Sequence, residues 1–469
     1  MRILITAVLL ALSTAATAFS VAALPFYDAK TGEVEPLVWF TIALWVLFAM
    51  SFISLRWVKG RAVVVLVLAG SLAIGVAAMT GPPNTSTDSA RYAWDGIVQN
   101  AGISPYAYVP TDPALEHLRP EWLFPAPTAE GECEGSRIQT SHEPGNKTVV
   151  CTALNRGTVP TIYPPASELV FAGVRLAVGP DAQYWPLQLL GLITSLGVTV
   201  ILLRLLHRRG LDPRWAALWG WCPLVATEGV TNSHIDLFAT LLVVVATALA
   251  ASGRAWGSGA AIGAAIGAKL IPVIAAPALL GRRPLVVIAS SVAVFALLYV
   301  PYVIADGIKV IGYLPGYLAE EGYESGSRFI LVSPFAPGVL STVIVGIVVL
   351  ATGVLVWRKT DPANPWIGQL AMIGVTLLIV SPRYPWYALL LIPMIAMTGR
   401  WEWMAVPLAL TERLLFPSVD PARVAILLAI AIVLVVTVKR AGPGVFMRVR
   451  RELRHPFERI EPEKLVTER

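Results

Sequence analysis

Arg282-Arg283-Pro284 opens onto Leu285-Val-Val-Ile-Ala-Ser-Ser-Val-Ala-Val-Phe-Ala-Leu-Leu-Tyr-Val-Pro-Tyr-Val-Ile304, an apolar run without a charge. It has the roughly 20 residues that a helix needs to cross a hydrocarbon core. Runs of the same kind recur at Val63–Met79, Trp185–Leu206, Leu237–Ala251, Val339–Trp357 and Val424–Val438, each nearly or fully charge-free. The composition agrees, with 56% hydrophobic and 14% charged residues where a soluble domain carries about 25% charged. These features predict an all-α polytopic membrane protein. They exclude a cytosolic globular enzyme, a secreted disulfide scaffold, a disordered chain and a coiled coil. The net charge of +6 sits between apolar runs, where membrane topology explains it, so no nucleic acid partner is implied.

Basic residues settle the expected orientation. Arg2, Arg56, Lys59, Arg61, Arg208, Arg209, Arg214, Arg254, Arg282, Arg283, Arg358, Lys359, Arg400, Lys439 and Arg440 fall at ends that should be cytoplasmic. The long segment 81–183 instead holds eleven acidic against six basic residues and reads as external. Between Arg254 and Arg282 lie apolar residues broken by Gly259, Gly263, Gly267, Lys269, Pro272 and Pro277. A single crossing would put one basic end outside, so 257–280 is predicted to be a re-entrant hairpin, buried in protein or lining a wet cavity. The reading divides the chain into N-terminal transmembrane helices (1–80), an external catalytic loop (81–183), a transmembrane core (184–438) and a basic cytoplasmic tail (439–469) resting on anionic lipid. It counts about twelve crossings by the span-length rule, with both termini inside. Ala16-Thr17-Ala18 leaves open a cleaved signal peptide as the alternative for the first run.

Cys133 and Cys151 both lie in the external segment, where an oxidising compartment favours a disulfide worth roughly 3 kcal/mol in loop-closure entropy. Cys222, in an apolar run, reads as a buried small hydrophobe. The Asn146-Lys147-Thr148 sequon carries no assigned role. Asp88–Asn100, with Tyr92, Trp94, Ile97 and Val98 on one side, and Ala166–Val178 are predicted amphipathic helices at the membrane interface. His117 and His142 lack the spacing of a bound zinc, so no metal is expected, and no phosphate loop or dinucleotide fingerprint implies a cofactor.

Charges near membrane depth are costly and need a reason. Asp88, Arg91 and Asp95, then Glu228, His234 and Asp236, then Lys269, then Arg383 within Ser381-Pro-Arg-Tyr384-Pro-Trp386-Tyr387, can converge on one external-facing cavity. Sugar transfer from a lipid phosphate requires such a set: a carboxylate to deprotonate the acceptor hydroxyl and cations to hold the phosphate. Several of these residues also have a plainer reading, whereas an ammonium such as Lys269 in an apolar hairpin must find an anion. Asp88 could cap a helix after Thr85-Ser86-Thr87, Arg91 could simply pair with Asp88, and Asp95 could be an interfacial solvated group. His234 could be a satisfied interface histidine, and Arg383 could belong to an aromatic interface belt.

Thr87-Asp88 through Asp95-Gly96, followed by Gly102-Ile-Ser-Pro105-Tyr106, resembles the first external loop of the GT-C glycosyltransferases, multi-pass enzymes that use polyprenyl-phosphate sugars. Glu228 through His234-Ile-Asp236 is similar to the family's Gly-His-x-Asp/Asn segment. Gly263 through Pro272 is similar to its lysine-bearing hairpin, and Ser381 through Tyr387 to its late aromatic element. Within the superfamily the chain most resembles the actinobacterial polyprenyl-phosphate-mannose-dependent mannosyltransferases. The resemblance implies a GT-C-like fold and an inverting transferase in a bacterial plasma membrane, with its active site facing outside. Its partners would be a polyprenyl-phosphate sugar donor, a lipid-linked glycan acceptor and membrane lipids, and the sugar mannose. Asp88 would be the catalytic base, with Arg91, His234, Lys269 and Arg383 binding donor phosphate and Asp95, Tyr92, Glu228, Asp236, Tyr384 and Trp386 positioning donor or acceptor. This chain departs from the pattern in two extra crossings ahead of Asp88 and in Ser233, which stands where the family has glycine. An arabinofuranose donor is the nearest alternative, and a lipid or glycan flippase the alternative from another class.

Overall fold

The computed structural model describes residues 2–27, 35–416 and 418–442, so the expected tail lies outside them beyond residue 442. In chain order the helices begin with α1 (Arg2–Ala23), α2 (Glu35–Ser54), α3 (Arg61–Ala77), α4 (Asp88–Asn100), α5 (Pro165–Val178) and α6 (Trp185–Arg208). Next come α7 (Ala217–Gly220), α8 (Asp236–Ala251), α9 (Ala255–Ala268), α10 (Pro284–Asp306) and α11 (Leu314–Glu320). The last are α12 (Val339–Lys359), α13 (Pro365–Val380), α14 (Ile392–Thr398), α15 (Ala405–Leu415) and α16 (Val419–Ala441). Among the described residues the only strands are β1 (Gln139–His142) and β2 (Val149–Thr152), an antiparallel pair within segment 81–183.

Among the described residues, six helical stretches are long and apolar enough to span a membrane: α1, α2 with its extension to Trp57, α6, α10, α12 and α16. Val225–Thr231 with α8, bent by 112°, would make a seventh, whereas α3, α13 and Pro385–Thr398 are apolar but shorter. The expected count of about twelve needs these shorter segments as crossings. Outward faces bear large apolar side chains, including Leu285, Leu297 and Ile304 on α10 and Leu350 on α12. Water would penalise such surfaces and lipid does not. The protein is an all-α polytopic membrane protein.

The broken hairpin follows from its small residues. A β-carbon at Gly259 or Gly263 would run into the Val287 or Ser291 carbonyl of α10, so the two backbones touch where side chains would otherwise interdigitate. Helix α9 stops at Lys269, whose backbone is extended (φ −150°), and a tight turn of 3₁₀ helix, Ile271–Leu279, leads back. Gly253, Ala255, Arg282 and Arg283 line one small cavity, so the chain enters and leaves the hairpin at the same end.

Apolar packing forms a large cluster among the membrane helices and a separate one drawn mostly from residues 81–183, with Tyr184, Leu187 and Ile235. In the second, α4 crosses α5 at Gly96, where a β-carbon would meet the Phe171 carbonyl. Tyr92 stacks on Phe171 with ring centroids 4.4 Å apart. The periodicity of Asp88–Asn100 indicates a half-wet helix, but residues 89–98 are all buried. Helix α5, in contrast, exposes Leu169 and Leu176 as an interfacial helix would. A disulfide joins Cys133 to Cys151 beside the β-hairpin, and Cys222 is buried.

The hairpin geometry gives an accessibility test. A cysteine introduced beside Glu130 should react with a membrane-impermeant thiol reagent added outside intact cells, and one beside Arg282 should not. Labelling near Arg282 would mean that this end of the hairpin faces outside, against the orientation read from the basic residues.

Candidate functional site

A cavity of about 700 Å³ opens where segment 81–183 meets the membrane helices. Its floor is the start of α4. The N-cap there is Thr87, with no side-chain capping bond. The Asp88 carboxylate is used elsewhere: Asn155 Nδ2 donates to Oδ1 at 2.5 Å and the Tyr163 hydroxyl to Oδ2 at 3.2 Å. Asp88 is thus a carboxylate held in the cavity by two neutral donors, and it does not cap the helix. It is the sole carboxylate among the described residues lining the cavity.

Behind Asp88 stands an elbow. The π-helical turn Val225–Thr231 presents Glu228 and meets α8 through Asn232, Ser233 and His234. Asn232 latches this elbow to the loop ahead of Asp88: its Oδ1 accepts from the Asn84 and Thr85 amides (3.1 and 3.2 Å), and its Nδ2 donates to Thr85 Oγ1 at 2.6 Å. His234 Nδ1 lies 3.0 Å from the Glu228 carbonyl oxygen and 3.3 Å from Glu228 Oε2. A carbonyl only accepts, so Nδ1 carries a proton and Nε2 is directed at Asp88 Oδ2, 3.7 Å away. The imidazole is held by a ring stack, Trp386 at 3.8 Å with Tyr384 on its other face at 4.5 Å.

Ser233 has a left-handed backbone (φ 56°) and anchors its hydroxyl to the Val230 carbonyl. Glycine adopts this conformation freely, whereas a side chain costs about 1 kcal/mol. The serine at this position therefore keeps the elbow's shape at some strain. Ser381, which opens the late aromatic element, is also left-handed (φ 47°).

Lys269, at the hairpin tip, pairs with Asp236 Oδ2 at 3.0 Å. Its ammonium lies over the Tyr163 and Tyr387 rings at 5.2 and 5.9 Å. The other cavity cations come from several elements. Arg91 pairs with Asp95 at 2.8 Å, and also donates to the Arg156 and Val159 carbonyls. Arg156 pairs with Glu320, and Arg328 with Glu321.

Of the residues singled out in the sequence, Asp88, Arg91, Lys269, Tyr384 and Trp386 line the cavity. Glu228, His234, Asp236, Asp95 and Tyr92 are buried immediately behind its wall. Arg91 turns toward Asp95, away from the pairing with Asp88 that its position in the sequence allows. Arg383 is exposed and absent from the lining, while Arg328, from a distant loop, is present. Asn155, Tyr163 and Arg328 carry no sequence signal, because their partners are set by tertiary folding. Tyr163-Pro164-Pro165, just ahead of α5, is at least a rigid corner.

Helices α4 and α5 add a buried acid pair, Asp95 and Glu168, of which Glu168 has no signal in the local sequence. Glu168 accepts from Thr161 Oγ1 at 2.8 Å and Gln99 Nε2 at 3.0 Å. Burial, reinforced by the charge of Asp95, pushes the Glu168 carboxyl well above its ordinary range. Burial raises Asp95 as well, against the opposing pull of Arg91. Tyr163 is also raised, by burial and then by Asp88, so its phenol stays a donor.

Two tests follow. A raised folded-state value means that Glu168 contributes stability while protonated, fully below the ordinary value of about 4.3 and progressively lost as pH rises through the folded value. Between about pH 6 and 9 the melting temperature of Glu168→Gln in detergent should therefore fall less than that of the unmodified protein; parallel profiles would place the proton elsewhere. Ser233→Gly should relieve about 1 kcal/mol of strain and raise the melting temperature. A lower one would show that the hydroxyl's bond to Val230 outweighs the conformation.

The family model of Glycosyltransferase family 87 matches residues 161–382. That stretch contains Tyr163, Glu168, Glu228, His234, Asp236 and Lys269, and begins after Asp88. A mannosyltransferase of Mycolicibacterium smegmatis, polyprenol-phosphate-mannose-dependent alpha-(1-2)-phosphatidylinositol pentamannoside mannosyltransferase, is 27% identical over 269 residues. The match covers 53% of this chain and spans 60% of that relative's length. No solved structure matches. By the four ordered motifs, the family match and this relative, the chain resembles the GT-C membrane glycosyltransferases that draw on polyprenyl-phosphate mannose.

Proposed function

We propose that the protein is an inverting glycosyltransferase that moves mannose from a polyprenyl-phosphate donor to a lipid-linked glycan acceptor at the outer face of a bacterial plasma membrane. The observation that carries this reading is the Asp88 carboxylate, which stands alone among acids in the cavity lining and is braced by Asn155 and Tyr163. Each oxygen retains a lone pair for an acceptor hydroxyl. A single base with no second carboxylate to act as nucleophile suits direct displacement, by the logic that separates inverting from retaining glycosidases.

In this mechanism Asp88 takes the proton of the acceptor hydroxyl as its oxygen bonds to the anomeric carbon. The bond from that carbon to the phosphate oxygen breaks, and its electron pair leaves on the polyprenyl phosphate. Lys269, fixed by Asp236 and the two tyrosine rings, faces the developing phosphate charge. His234 Nε2, with its other nitrogen tied to Glu228, stabilises the proton arriving on Asp88. The lining on the hairpin side is apolar, with Leu270, Ile271, Val273, Leu377 and Val380, and suits an isoprenoid chain. The relative's name supports mannose as the sugar and an inositol glycolipid as a model acceptor.

Asp88→Asn keeps the size and polarity of the side chain but cannot accept the proton. Turnover from purified polyprenyl-phosphate mannose in nanodiscs, with metal chelated, should fall about 10²- to 10⁴-fold while the protein stays folded. Full activity in that variant would remove the base assignment. Transfer from a polyprenyl-phosphate arabinofuranose donor in place of the mannose donor would reassign the sugar.

A further inference from the structure

The cavity is lined by five cationic side chains among the described residues: Arg91, Arg137, Arg156, Lys269 and Arg328. Four of them are matched, to Asp95, Glu320, Asp236 and Glu321 respectively. Arg137 differs. Its Nε donates to the Pro83 carbonyl at 2.8 Å, and its guanidinium lies 5.4 Å from the centroid of the Phe26 ring. Its terminal nitrogens meet no carboxylate among the described residues. A half-buried guanidinium with no carboxylate partner among the described residues is a ready anion site, since its N–H fork matches phosphate and carboxylate geometry.

The surroundings of Arg137 set it apart from the donor side. Phe26 and Tyr27 follow α1, within the N-terminal part that precedes the first catalytic motif. Tyr27 is pinned by its hydroxyl to the Leu414 and Leu415 carbonyls at 3.0 and 3.1 Å. Ser136 and Gln139, on either side of Arg137 in sequence, line the same cavity and add polar groups beside the aromatic ones. Aromatic faces with neighbouring hydroxyl, amide and guanidinium groups are what a sugar bearing an anion requires. Lys269 reaches Asp88 through Tyr163, and Arg137 reaches it through Pro83 and the loop that leads into α4. Direct displacement places the leaving phosphate and the attacking hydroxyl on opposite sides of the anomeric carbon, so two cationic stations on separate approaches to one base fit two substrates.

We infer that the wall formed by Phe26, Tyr27 and Arg137 is the acceptor subsite, and that Arg137 binds an anionic group, a phosphodiester or carboxylate, carried by the acceptor lipid or glycan. This rests on the transferase reading above. The acceptor is then selected for its charge as well as its sugar, and the N-terminal helices take part in choosing it.

The test compares two acceptors in zwitterionic nanodiscs: phosphatidylinositol pentamannoside, which carries a phosphodiester, and neutral octyl α-mannoside. Arg137→Gln keeps a donor for the Pro83 carbonyl but loses the charge, and Arg137→Lys restores it. The ratio of kcat/KM for the anionic over the neutral acceptor should fall about tenfold or more in Arg137→Gln and recover in Arg137→Lys, with the KM for polyprenyl-phosphate mannose unmoved. An equal loss with both acceptors, or a rise confined to the donor KM, would overturn the assignment. Equilibrium binding of the two acceptors to the same variants runs alongside. If the unmodified protein transfers mannose to neither acceptor, the transferase reading fails, and binding still decides Arg137. Selective weakening for the phosphodiester lipid in Arg137→Gln supports the anion site, and unchanged binding removes it.

Discussion

A lysine at the tip of an apolar hairpin is the constraint on which the site is built. An ammonium withdrawn from water must meet a counter-charge, and Lys269 meets Asp236 at 3.0 Å. That contact ties the end of α9 to the first turn of α8, and so fixes the elbow that carries Asn232 and His234. From the elbow, Asn232 holds the loop leading into Asp88, and Glu228 orients the imidazole toward the same carboxylate. On the other side of the ammonium, Tyr163 covers it with its ring and gives its hydroxyl to Asp88. The π-helical turn and the 112° bend turn Glu228, Asn232 and His234 inward, where Thr85 and Asn232 donate to the Glu228 carboxylate.

Much of this architecture is written in local sequence. Charge-free runs specify helices, and the basic ends at Arg254 and Arg282 with the glycines and prolines between them call for a chain that turns back on itself. The glycines of α9 state where α10 must approach. Within the site, Asp88, His234, Asp236 and Lys269 could be singled out because a charge in an apolar setting needs a reason. The same logic singles out Arg383, which sits among aromatic residues in the sequence and is exposed in space, outside the cavity lining. It also could not find Asn155, Tyr163 or Glu168. An asparagine, a tyrosine and a glutamate in a polar external segment meet no local penalty, and their roles arise only when α4, α5 and the elbow close around them. The amphipathic pattern of α4 likewise located the helix without showing that α5 and the surrounding loops would bury it on every side.

Strain is concentrated at the same place. Ser233 and Ser381 both take the left-handed conformation, one before His234 and the other at the head of the element that supplies Trp386. The two serines thus set the rings of the stack from both ends, and each ties its hydroxyl to a carbonyl three residues back. Neighbouring packing must over-determine such backbones for them to persist. The large apolar cluster that includes Trp386, Leu389 and Leu390 supplies that packing.

The division of the apolar interior into two main clusters bears on how a transferase of the proposed kind could diversify. Asp88 stands on the cluster that packs through Tyr92, Trp94 and Phe171, and Lys269 stands on helices of the larger one. The cavity is the seam between them. On the proposed roles, residues that meet the lipid-borne sugar and those that meet its recipient answer to separate packing requirements. Loops of segment 81–183, including the disulfide-closed stretch around Arg137, could then change length and chemistry without repacking the membrane helices. A scaffold of that kind could keep its donor while its lineage explores new recipients, one loop at a time.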